Sequence, residues 1–128
     1  MTTRVALDTS ALMMPVQLDV RLFDELERLL DAYEATAPQP VVEELRRLSE
    51  KGGTEGTAAT VGHDLAIERC LIVDTEASHA DDALVELASE GAIDHVVTND
   101  LPLRDRVLET NVPVIALRGR NKLAITQP

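Results

Sequence analysis

The sequence predicts an α/β domain with a mostly parallel, five-stranded sheet flanked by helices. Three observations predict it. Short apolar runs with polar stops alternate with longer segments of helical periodicity. The length of 128 residues suits one compact domain, and 45% hydrophobic residues can fill its core. Four of the acids, Asp8, Glu44, Asp81 and Asp100, fall where apolar segments end or helices begin, the edge at which parallel sheets bind ligands.

The elements follow in order. Arg4 to Asp8 reads as a buried strand, short and apolar with a polar stop. Thr9 to Gln17 contains Pro15 and reads as a loop. Leu18 to Glu34 carries a helical stripe of Leu22, Leu26, Leu29, Leu30 and Tyr33. Thr36 to Pro40 holds two prolines, which suits an edge strand or a very short second strand. Val41 to Lys51 returns to helical spacing. Gly52 to Gly56 reads as a flexible break, with too little chain on either side for two independent domains. Thr57 to Cys70 is a helix weakened by Gly62, and Leu71 to Val73 a strand stopped by Asp74. Ser78 to Ser89 is a helix with Ser78 as its N-cap and Gly91 beyond its end. His95 to Thr98 is a strand, Leu101 to Glu109 a helix and Val112 to Leu117 the last strand, followed by a basic tail.

Composition narrows the function classes. No run of about 18 apolar residues is present, so no membrane-spanning helix is expected. The N-terminus lacks the zones of a signal peptide, and a cytoplasmic location is expected. Cys70 is the single cysteine and sits among Ile67, Leu71 and Ile72, which reads as a buried structural thiol. His63, His79 and His95 have no zinc spacing. No nucleophile elbow, phosphate loop or dinucleotide-binding loop is present. Net charge is −11, which alone argues against nucleic acid. Lysine is scarce, however: Lys51 and Lys122 stand beside ten arginines. Acid excess with little lysine resembles cytoplasmic proteins of salt-loving archaea, where surface charge answers the solvent.

The acids carry the chemistry. An acid at a strand end is often only a turn residue or a cap. Here Asp8 is followed by Thr9 and Ser10, and Asp100 is preceded by Thr98 and Asn99, all able to hydrogen-bond a carboxylate or a bound water. Glu44 and Asp81 lie in the first turns of their helices, beside the preceding strand ends. Glu43 and Asp82 are the alternatives to Glu44 and Asp81. The apolar pattern puts Asp81 near the inward face and Asp82 toward solvent, and it leaves Asp105 exposed beside Arg104 and Arg106. Carboxylates gathered in one cleft repel, and divalent cations are the usual offset.

These segments resemble the motifs of PIN-domain nucleases. Val5-Ala6-Leu7-Asp8-Thr9-Ser10 is similar to the family's first motif, and Val41-Val42-Glu43-Glu44-Leu45 to its second. Ala80 to Ala88, with Asp81, is similar to the third, and Val97-Thr98-Asn99-Asp100 with Leu103 and Arg104 to the fourth. The resemblance spans nearly the whole chain in order. The third and fourth segments and Val112-Pro113-Val114-Ile115 resemble the archaeal and eukaryotic ribosomal-RNA-processing branch; VapC toxins share the four-acid pattern. The acidic charge departs from the basic extension and surface of the eukaryotic members.

The resemblance implies a three-layer fold over residues 1–128 and metal-dependent cleavage of single-stranded RNA. Asp8, Glu44, Asp81 and Asp100 would bind Mg²⁺ or Mn²⁺, with Ser10, Thr98 and Asn99 orienting ligands and waters. Arg104, Arg118, Arg120 and Lys122 are the candidates for RNA phosphate contacts, against ordinary surface charge as the alternative. Expected partners are RNA, an antitoxin or a ribosome-assembly factor, and a second copy of the chain. Two other readings remain open at this point. One is a non-catalytic RNA- or protein-binding module. The other is a receiver-like phosphotransfer domain, which needs a lysine at a late strand end that neither Lys51 nor Lys122 supplies.

Overall fold

Val5, Ala6 and Leu7 are fully buried, which makes the strand Thr3–Leu7 (β1) a central one. In the computed structural model, which describes residues 2–128, β1 pairs in parallel on both sides. One neighbour is β2 (Tyr33–Pro38), the other β4 (His95–Val97). Beyond β2 lies β3 (Leu71–Val73), and beyond β4 lies β5 (Val114–Arg118), both parallel. A sixth strand, β6 (Lys122–Thr126), adds antiparallel to β5, giving the order β3-β2-β1-β4-β5-β6.

Six helices cover the sheet. Helices α1 (Thr9–Gln17), α2 (Leu22–Leu30) and α4 (Gly53–Arg69) pack together, with α3 (Gln39–Ser49) against α1 and α4. Helices α5 (Ala80–Ser89) and α6 (Leu101–Glu109) pack on each other and on β2, β4 and β5. The chain moves from β1 outward to β3, then returns through α5 to β4 and onward to β5. Right-handed crossovers running in opposite directions put their helices on opposite faces. The β1–β4 junction is therefore the point at which the topology reverses, the place where open parallel sheets bind ligands.

The alternating α/β order and the parallel sheet match expectation, and several elements differ for identifiable reasons. Thr9–Gln17 is a helix, not a loop. Asp8 caps it by accepting from the Ala11 amide, and Ala11 to Met14 are all buried, so no amphipathic stripe marks it. Pro15 stands inside it near the C-terminal end and removes the N–H that would bond the Ala11 carbonyl, a cost outweighed by the burial of Ala11 to Met14. The helix expected over Leu18 to Glu34 is shorter, because Tyr33 and Glu34 already belong to β2. That strand is internal rather than an edge. Pro38 is its last residue and Pro40 occupies the first turn of α3, positions that do not need the proline N–H.

The glycine-rich segment is not a break, since α4 begins at Gly53. Gly62 serves close packing instead: a Cβ there would stand 2.8 Å from the Leu12 carbonyl oxygen, so its absence lets α4 approach α1. The helix expected from Ser78 starts at Ala80, and Ser78 does not cap it; His79 holds the cap position without a side-chain hydrogen bond. The basic tail forms β6 after a turn through Gly119 at φ +74, so the sheet has six strands.

Candidate active site

Asp8 stands at the C-terminal end of β1 and is only 4% exposed. Its amide donates to the Val97 carbonyl at 3.2 Å, which ties it to the end of β4. Its carboxylate accepts from the Ala11 amide at 2.8 Å and from Ser10 Oγ at 2.8 and 3.0 Å. Thr98 Oγ1 donates to its other oxygen. Every polar contact of this carboxylate is neutral. Burial pushes its pKa up to about 6 against those hydrogen bonds, and the nearby Asp81 charge adds to the rise.

The β4 end is woven into the same network. Asp100 caps α6, accepting from the Leu103 amide at 3.0 Å, while its own amide donates to Thr98 Oγ1 at 3.0 Å. The Asn99 amide donates to Ser10 Oγ at 3.1 Å, and its side-chain oxygen accepts from the Leu117 amide at 2.9 Å. Thr98, fully buried, thus links Asp8 to Asp100, and Ser10 links Asp8 to Asn99. Both hydroxyls act as the sequence suggests short polar residues beside these acids should. Thr9, the first residue of α1, donates to Glu44, which lies in the middle of α3 rather than in its first turn as expected, because α3 begins at Gln39.

Asp81 faces the others from α5. It stays open to solvent, yet its carboxyl lies above the usual range, first through partial desolvation and then through the charges of Asp100 and Glu44. Asp81 therefore lies within electrostatic reach of Asp8, Glu44 and Asp100. Asp82, exposed like Asp81 and bordering the same cavity, pairs with Arg106 at 2.9 Å. Asp105 pairs with Arg104 at 3.3 Å.

The basic candidates separate into two places. Arg104 lies on the second turn of α6, just after Asp100. Arg118, Arg120 and Lys122 are exposed on the β5–β6 hairpin, at the same sheet edge but displaced toward its antiparallel side. Arg118 and Lys122 line a cavity of about 610 Å³ with Arg28, and none of the four acids borders it. Lys122 is 3.7 Å from Glu25. A separate cavity of about 280 Å³ is lined by Glu44, Asp81 and Asp82 together with Arg47, His79 and Arg106. Arg47 and Arg106 were not singled out in the sequence. The available signal was spacing: Arg47 follows Glu44 by three positions, which shares a helix face. Cys70 offers no nucleophile, since burial raises its thiol to about 11.

Whether these residues suit a metal can be tested on the donor set. All four acids offer oxygen, and their mutual repulsion favours a cation. Among the described residues, no three His, Cys, Asp or Glu side chains stand close enough together to hold one ion directly. The set thus fits a hard, hydrated ion that keeps several waters, and does not fit a fully protein-ligated zinc.

Comparison with known proteins places the chain. A family model described as a PIN-like domain matches residues 5–120. The chain belongs to the PIN-like domain family. It is 30% identical over 125 residues to Ribonuclease VapC4 of Methanocaldococcus jannaschii, covering 95% of each protein. It is also 37% identical over 90 residues to a UPF0178 protein of Sulfurimonas denitrificans, across 70% of this chain and 58% of that one. In fold, the PIN-like chain resembles the PIN domain endonuclease Utp24, with a TM-score of 0.79, 24% identity, and coverage of 98% of this chain and 92% of that one. A domain of a functionally unknown protein from M. jannaschii gives a TM-score of 0.67 at 16% identity, covering 94% and 95%. Among the described residues, no helix of this PIN-like chain is long and apolar enough to cross a membrane.

Proposed function

We propose that this PIN-like chain, acting as one unit over residues 1–128, is an endoribonuclease that hydrolyses phosphodiesters of single-stranded RNA with Mg²⁺ or Mn²⁺. The observation that carries the reading is the meeting of Asp8, Glu44, Asp81 and Asp100 at the topological switch point, with Asp8 buried and lacking a cationic partner. Similarity to Ribonuclease VapC4 over 95% of both chains supports it.

Asp8, Glu44, Asp81 and Asp100 would hold the ion, in part through its bound waters. When bound, the ion would supply an activated water and neutralise charge on the attacked phosphate. The remaining work falls to the chain. Ser10 and Thr98 fix the Asp8 carboxylate in one rotamer, so its free lone pairs point consistently. Thr9 does the same for Glu44, and the Leu103 amide for Asp100. Asn99 is spent on the Leu117 amide, so its role is to lock the β4–β5 edge behind the acids rather than to face substrate. Arg104 stands nearest the acids in sequence among the basic candidates, and Arg118, Arg120 and Lys122 would meet RNA that extends along the hairpin edge.

The test is cleavage of single-stranded RNA at high salt in Mn²⁺ by wild type and by Asp8→Asn. Equal cleavage by the two proteins would refute the site. RNA binding that survives neutralising the acids, with no cleavage in any metal, would make this a binding module. Within the nuclease reading, RNA maturation is our first assignment, from the resemblance of the third and fourth motifs. The similarity to VapC4 favours a toxin as the second. A small antitoxin gene beside this one would decide for the toxin.

A further inference from the structure

Among the described residues Arg47, like Arg21, Arg46, Arg69, Arg118 and Arg120, enters no ion pair, although acids outnumber lysines and arginines 23 to 12. It nonetheless lines the 280 Å³ cavity beside Glu44 and Asp81. Arg106 borders the same cavity from α6 and keeps one contact, to Asp82 at 2.9 Å. Both side chains are exposed, so neither serves the core. Arg47 and Arg106 thus border one opening from different helices, alongside two of the four acids and Asp82.

The cavity is mostly polar, with Arg47 and Arg106 set against Glu44, Asp81 and Asp82, so it suits an oxyanion once a bound cation offsets those acids. Arginine offers a planar fork that matches two phosphate oxygens at once. A phosphate held there would not be the one attacked, because that one must lie against the four carboxylates and their ion. A polynucleotide brings a further phosphate at every linkage, so its neighbour is available to the arginines. Building on the endoribonuclease reading, we propose that Arg47 and Arg106 form a subsite for the RNA phosphate next to the linkage being cut. The chain then recognises a stretch of backbone rather than a single bond. Neither Phe23 nor Tyr33 lines this opening, so among its lining residues His79 carries the ring able to stack on a base.

The competing role is purely electrostatic: the arginines would only soften the repulsion between acids. The two roles separate in kinetics. Arg47→Ala should lower kcat/KM on a short single-stranded RNA about 10-fold, mainly through KM, and Arg47→Lys should recover part of the loss. Arg46→Ala, a neighbouring exposed arginine that does not line the cavity, is the charge control and should leave KM within about 2-fold. A methylphosphonate at one linkage beside the scissile bond should cost wild type about 10-fold and Arg47→Ala almost nothing more. Equal sensitivity of both proteins at every flanking linkage would overturn the subsite. If wild type cuts no RNA in any metal, the nuclease reading fails on its own. The subsite is then decided by binding of single-stranded RNA across salt concentrations. Arg47→Ala should reduce the slope by about 0.7 relative to Arg46→Ala, and equal slopes would overturn it.

Discussion

Asp8 and Glu25 are both nearly buried carboxylates, 4% and 6% exposed, and their surroundings push them in opposite directions. Glu25 accepts from Arg28 at 2.9 Å and from the Leu123 amide at 2.9 Å, with Lys122 at 3.7 Å. Arg28 in turn donates to the Leu123 carbonyl at 2.8 Å. That set of donors, led by Arg28, lowers the Glu25 pKa to about 2. Asp8 has hydroxyls and one amide but no cation, and burial raises it to about 6. One carboxylate is satisfied by the fold and clamps β6 to α2. The other is left wanting positive charge, which is what a binding site for a cation requires and what a purely structural residue avoids.

The sharpest way to break this contrast is Asp8→Asn. It should lower RNA cleavage by at least about 10³-fold, the scale of losing one electrostatic catalytic group. The same change should stabilise the metal-free protein at pH 8, by about 1–2 kcal/mol or a few degrees in Tm, because asparagine still caps α1 and carries no buried charge. Loss of activity with loss of stability would mean that Asp8 is structural, as Glu25 is.

Thr98→Val tests the hydroxyl that joins two of the acids. Valine keeps the shape but leaves Asp8 without that donor and the Asp100 amide without its acceptor. Cleavage should drop about 10–100-fold, and stability by about 1–3 kcal/mol. Thr98→Ser should restore most of both. Retention of full activity in the valine variant would remove Thr98 from the site. Glu25→Gln is the counterpart on the other side. Its partners Arg28 and Lys122 are 50% and 67% exposed, so screening limits the effect to about 1–2 kcal/mol. Thermal melting reads the loss, and hydrogen exchange should place it in β6. Cleavage by the folded variant should match wild type, and a large drop would tie the hairpin directly to catalysis.

The two carboxylates also differ in how far they could be read from the sequence. Asp8 and Asp100 end apolar runs and carry their hydroxyl partners within two residues, so local order alone exposes them. Glu25 lies 98 positions from the Leu123 amide it accepts from, and nothing near it marks it among 23 acids. Arg47 and Arg106 escaped for the same reason: the cavity exists only once α3, α5 and α6 are packed. Elements behaved alike. Leu71–Val73 and Leu101–Glu109 are legible to the residue, the first as an apolar run stopped by Asp74 and the second as a helix capped by Asp100 with Pro102 in its first turn. Helix α1 was not, because it is buried along Ala11–Met14 and holds Pro15, and β6 was masked by the basic residues at its start.

The smallest expected effect is the pH dependence of the metal-free protein, and it tests both groups at once. Asp8 is raised from 3.8 to about 6, so its contribution to stability is complete below about pH 4 and is lost as pH rises through 6. Glu25 is lowered from 4.5 to about 2, so its contribution is present above about pH 4.5 and is lost as pH falls through 2. Melting in chelator should therefore show wild type and Asp8→Asn converging near pH 4 and separating by pH 7, with wild type the less stable. Glu25→Gln should lie below wild type at pH 5 and above, and meet it near pH 2. Adding Mg²⁺ should close the gap between wild type and Asp8→Asn above pH 6, because the ion then supplies the positive charge that the fold gives to Glu25 and withholds from Asp8. Parallel curves for wild type and Asp8→Asn from pH 4 to 7 would show that the Asp8 carboxylate is not short of a partner, and the contrast between the two sites would collapse.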